Sequence, residues 1–156
     1  MLKIANIPLR QKILISLTII AGPILLFAYQ FGFIDREKLN MYIWFYPIMI
    51  TIWLLWGEVF IDLNNKTIFS IWVFMGIIYF IIYLFVHIPS FKTILIFLLV
   101  YRLLNFVKKQ LTKDFLFNTF FAMSWKQDET KKPITWFDVL SNIILFITII
   151  ISSITK

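Results

Sequence analysis

Four long apolar runs, Ile13 to Ile34, Met41 to Ile61, Thr67 to Ile88 and Trp136 to Ile154, and a shorter one from Ser90 to Val107 occupy most of the chain. The hydrocarbon core of a bilayer is about 30 Å thick and a helix rises about 1.5 Å per residue, so each long run can cross it. The fold class that follows is all-α, a polytopic membrane protein. At 61% hydrophobic residues and 19% aromatic, the composition excludes an ordinary soluble domain. With only 4 Gly and 5 Pro there is no low-complexity linker, and residues 1–156 read as a single integral membrane domain. The absence of Cys excludes disulfides, thiol catalysis, thiolate metal sites and palmitoylation.

A formal charge of +7 would suggest nucleic acid or anionic lipid if the Lys and Arg formed a soluble patch. They sit instead in short loops beside apolar runs, where they act as orientation signals, so no direct nucleic-acid binding is expected. Met1 to Lys12 before an apolar run could also open a signal peptide, whose apolar core is about 7 to 15 residues. The run here is longer and no small-residue cleavage site follows Gln30 to Phe33, so an uncleaved anchor is expected.

With the amino terminus in the cytoplasm and one crossing per run, Lys3, Arg10, Lys12, Lys66, Lys108, Lys109, Lys113, Lys126, Lys131 and Lys132 fall inside. Only Arg36, Lys38, Lys92 and Lys156 fall outside. This is the bias of the positive-inside rule, and it decides two ambiguous segments. Ser90 to Val107 must span, or the basic residues up to Lys132 would lie outside. Phe115 to Trp125 is too short to span and has Lys113 and Lys126 on its flanks, so it is expected as an interfacial or re-entrant segment on the cytoplasmic side. The expectation is about five crossings, near 13–34, 41–61, 67–88, 90–107 and 136–154, with 108–135 non-spanning and the carboxyl terminus outside. Pro23 after Gly22 and Pro47 favour kinks, which shape packing or serve as hinges, and Tyr42, Trp44, Tyr46, Trp125 and Trp136 fit an aromatic belt. No internal repeat or inverted symmetry is visible.

Charge inside an apolar run is costly, which makes it the first place to look for function. Glu58, Arg102 and Asp138 fall in one leaflet at nearly one depth, so Arg102 could pair with either acid. Asn105 and Asn142 extend the set as helical neighbours of Arg102 and Asp138. A polar cluster of Glu58, Arg102, Asn105, Asp138 and Asn142 is therefore expected near the inner interface, as a structural ion pair, as a proton or cation relay, or as a docking point for a partner's charged residue. Asp62 with Lys66 reads as a surface pair, with Asn64 and Asn65 as a turn, and His87 as an interfacial residue. No metal site, cofactor site or catalytic motif is legible, so an enzyme is not expected.

Two classes of function remain. One is an accessory or structural subunit of a membrane complex such as secretion, conjugation or export machinery, with a membrane immunity protein as a variant of the same binding role. It lives in the lipid bilayer of the cell membrane with a membrane-protein partner or as a homo-oligomer. The alternative is a small transporter or channel using Glu58, Arg102 and Asp138.

Overall fold

The computed structural model describes residues 7–33, 35–116 and 134–155. The regular structure among them is helical: α1 (Leu9–Gln30), α2 (Arg36–Leu54), a short α3 (Gly57–Asp62), α4 (Lys66–Val86), a 3-10 turn (Pro89–Lys92), α5 (Thr93–Thr112) and α6 (Trp136–Ile154). Among the described residues, 3 stretches are long and apolar enough to cross a bilayer: Lys66–Phe85, Pro89–Thr112 and Trp136–Ile154. The chain therefore has the build of a helical membrane protein. Most of the segment from Phe115 to Trp125 lies outside the described residues.

The second apolar run is not one helix. After Leu54 the N–H groups of Leu55 and Trp56 bond three residues back, to Ile52 and Trp53, and Trp56 then becomes extended at φ −82° and ψ 118°. Gly57, the poorest helix former after Pro, stands where the chain restarts as α3. Asn65 then caps α4, its side chain accepting the Thr67 N–H at 2.9 Å.

The fourth run differs the other way. α5 continues past Val107 to Thr112, where Lys113 takes a left-handed conformation (φ 59°) and closes the helix onto the Lys109 carbonyl. Residue 108 thus belongs to the bundle rather than to the segment 108–135 expected to leave it. The physical reason is the partner that Lys108 finds inside the bundle, described below.

Hydrogen bonds fix the helix directions. Gln11 and Thr18 of α1 meet Trp72 and Tyr79 of α4, the same step on each helix, so these two run parallel. Asn105 of α5 bonds back to Asn64 just before α4, and Lys108 of α5 meets Asp138 in the first turn of α6. Trp44, early in α2, donates to the Ser153 carbonyl near the end of α6 at 3.2 Å. The long helices therefore alternate in direction. The starts of α1, α4 and α6 and the end of α5 share one end of the bundle, the start of α2 and the end of α6 the other.

α5 and α6 pack along complementary seams. Ile94, Leu98, Tyr101, Asn105 and Lys108 are buried at alternating steps of four and three, as are Asp138, Asn142, Leu145, Ile149 and Ser152. This is the spacing of antiparallel helices packed in the coiled-coil manner. Each seam is apolar at mid-depth, where Phe97, Tyr101, Leu145 and Ile149 lie, and polar towards its ends. Gly76 lets α4 approach α5 closely, since a Cβ there would stand 3.2 Å from the Leu95 Cα. Large apolar side chains including Ile13, Phe27, Met41, Phe45, Phe74 and Phe85 point outward. On a soluble surface so much apolar area would demand a cover, and in a bilayer lipid supplies it.

Candidate functional site

Asp138 is the third residue of α6, where the free N–H groups of a helix start favour a carboxylate. The order Thr135-x-x-Asp138 makes a capping box. The Asp138 carboxylate accepts the Thr135 N–H at 2.9 Å and the Thr135 hydroxyl at 2.7 Å, while the Asp138 N–H reaches back to Thr135 Oγ1. Lys108 Nζ lies 2.5 Å from both carboxylate oxygens and also donates to Thr135 Oγ1. Both charged side chains are almost fully enclosed, at 1% and 0% exposure. An unpaired charge at such a depth costs several kcal/mol; here the charge-assisted bonds offset it and fasten α5 to α6. Asn142 adds a bond from Nδ2 to the Asp138 carbonyl at 2.9 Å.

One turn back along α5, Asn105 collects three elements. Its Nδ2 donates to Asn64 Oδ1 at 2.8 Å, an atom that also accepts the Tyr101 hydroxyl at 2.7 Å. Its Oδ1 accepts the Leu116 N–H at 3.2 Å, which binds the chain leaving α5 back onto that helix.

A second lock joins α1 to α3 and α4. Gln11, fully buried, donates from Nε2 to the Val59 carbonyl at 3.0 Å and to Asp62 at 3.3 Å, and accepts the Trp72 indole N–H at 2.9 Å. Beside it Arg10 grips both Asp62 oxygens, at 2.7 and 2.8 Å, the bidentate geometry that suits a guanidinium. Farther along, the hydroxyls of Tyr46 and Tyr79 donate to the carbonyls of Leu17 and Thr18.

The structure thus redistributes the expected partners. The cation that meets Asp138 is Lys108, not Arg102. Arg102 is exposed, and its guanidinium lies 5.4 Å from the centroid of the Phe69 ring, a cation–π contact. Asp62 holds Arg10 rather than Lys66, because α1 and α3 meet at that end of the bundle. Glu58 belongs to α3, adjoining the Val59 carbonyl that Gln11 uses; its side chain is not among those described. His87 ends α4 in a left-handed conformation at the opposite end. Gln11 and Lys108 were missed by sequence reasoning, since one stands in a basic amino-terminal stretch and the other at the edge of an apolar run. The seam spacing Gln11, Leu14, Thr18 and the capping-box pattern at Thr135 were the available signals.

Charge divides between the ends. Exposed Arg10, Lys12, Lys66, Lys109 and Lys113 all flank the locks, whereas Asp35, Glu37, Lys38 and Lys92 lie towards the other end, with Lys38 and Asp35 paired at 3.3 Å. Among the described residues no group of three His, Cys, Asp or Glu is placed to hold a metal ion. The geometry provides strong helix-to-helix fastening at one end of the bundle. No protein-family model, curated protein or solved structure matches the chain.

Proposed function

We propose that the protein is an accessory or structural subunit of a membrane complex, acting by binding another membrane protein. The observation that carries this reading is the use of its buried charge: Lys108 and Asp138 are bound to each other and to Thr135 within a helix seam. A group committed in this way stiffens a scaffold. Broad outward apolar faces on α1 and α2, with Ile13, Phe27, Met41 and Phe45 exposed, offer the surfaces through which such a scaffold meets lipid and, on α2, partner helices. A membrane immunity protein, whose partner is a membrane-active toxin, is the same role with a different partner.

In this reading the chain crosses the cell membrane five times, with the basic end in the cytoplasm. The crowding of exposed Lys and Arg at that end supports the orientation. The chain has no Cys, so single cysteines report the arrangement directly. Lys38→Cys, His87→Cys and Thr155→Cys are expected to react with a membrane-impermeant maleimide on intact cells. Lys12→Cys, Lys66→Cys and Lys113→Cys react only after permeabilisation. Labelling of Lys113→Cys on intact cells would refute the arrangement.

The alternative, a small transporter or channel, draws on the polar groups at both ends of the α5–α6 seam, Lys108 and Asp138 at one and Thr93, Ser152 and Ser153 at the other. Liposomes containing the purified protein alone separate the two readings. A scaffold leaves imposed proton, sodium and potassium gradients standing. Dissipation that Glu58→Gln abolishes would establish transport instead.

A further inference from the structure

The side of α1 turned away from the bundle carries a groove. Gln11, Leu14 and Thr18 are buried on one face of this helix, and Ile13, Ile20 and Ile24 stand exposed on the opposite one. Between those branched side chains Ser16 and Ala21 are small, and the depression they leave runs along the helix from Leu9 to Ile24. At 1.5 Å per residue the part from Lys12 to Ile24 is about 18 Å long, close to the roughly 15 Å depth of one leaflet of the hydrocarbon core.

Charge stands near one end of the groove, one turn inward from Leu9. Arg10 is neutralised by Asp62, whereas Lys12 is exposed and has no ion pair among the described residues. A cation without an ion pair among the described residues thus stands near the basic end of the groove, with about 18 Å of lining beyond it. Ser16 lies about one turn deeper than Lys12, where the ester groups of a lipid with its phosphate at Lys12 would lie.

We propose that this groove binds one anionic phospholipid, with its headgroup on Lys12 and an acyl chain along Ser16, Ile20 and Ala21. Charge complementarity decides for a lipid over a partner helix, because Lys12, the one cation among the described lining residues, stands at the headgroup level and the lining beyond it is apolar apart from Ser16. The proposal rests on α1 crossing the bilayer, as in the arrangement above, and is independent of the accessory role.

The test is native mass spectrometry of the full chain in mild detergent, titrated with phosphatidylglycerol or with phosphatidylethanolamine of the same acyl chains. The wild type is expected to retain one phosphatidylglycerol in preference to phosphatidylethanolamine. Lys12→Glu should weaken that retention about fivefold or more, the effect of a lysine at an anionic headgroup. Ser16→Leu should weaken it by filling the groove, and Lys113→Glu, basic but off the groove, should leave it unchanged. Equal retention of the two lipids, or equal losses for Lys12→Glu and Lys113→Glu, would overturn the proposal. So would a dimer or mixed complex that Ser16→Leu dissociates, since the groove would then seat a helix. Maleimide labelling of Lys38→Cys on intact cells separates a failure of the lipid site from a failure of α1 to cross.

Discussion

Asp138→Ala is expected to destabilise the protein by about 3–5 kcal/mol, because it leaves Lys108 buried without its carboxylate. The same change removes the reciprocal cap on α6, so helix and seam weaken together. Lys108→Met should cost less, since Asp138 keeps the Thr135 N–H and hydroxyl as donors. Replacing both, as Lys108→Met with Asp138→Leu, removes the unpaired charge and should recover much of the loss. Thermal and denaturant unfolding in mild detergent, followed by the fluorescence of the 6 Trp residues, reads all three variants. A double variant no more stable than Asp138→Ala would show that the pair is not what fastens α5 to α6.

Gln11→Leu is the second large loss. The side chain is fully buried and serves the Trp72 indole and the Val59 carbonyl, both of which would be left without that partner. Each such orphan costs about 1–3 kcal/mol, so a loss of about 2–6 kcal/mol is expected. Arg10→Ala, on the same lock but with 39% of its side chain exposed, should cost about 1 kcal/mol or less. Comparing the two by the same unfolding measurement distinguishes a buried polar hub from a surface ion pair. Equal effects would mean that α1 is held by its apolar contacts and not by Gln11.

The helical class was legible from the apolar runs, and the limits of those runs were less so. Hydropathy sees Met41 to Ile61 as continuous, whereas the break at Leu55 and Trp56 depends on local turn geometry and on Gly57. Hydropathy also ends the fourth run at Val107, because Lys108 carries the cost of a charge in any scale applied to an isolated segment. That cost disappears only when Asp138 arrives from a helix about thirty positions away, which no local window contains. The site was legible to a similar degree. Asp138, Asn105 and Asn142 were singled out for polarity within apolar stretches, and all three are buried. Arg102 was singled out by the same rule, yet it faces outward over Phe69, since depth along a helix does not tell which way the helix is turned. Gln11 was hidden because a neutral amide beside Arg10 and Lys12 reads as part of a solvated start. Its role comes from α1 running parallel to α4, a tertiary fact.

In the proposed function the polar locks frame a scaffold whose purpose is a partner. Crosslinking in native membranes followed by affinity purification of the full chain tests this most directly. A single membrane-protein partner is expected, crosslinked through the outward face of α2, recovered in fixed proportion with the wild type and equally with Glu58→Gln. Recovery of the chain alone after crosslinking, together with ion movement through liposomes that contain nothing else, would contradict it.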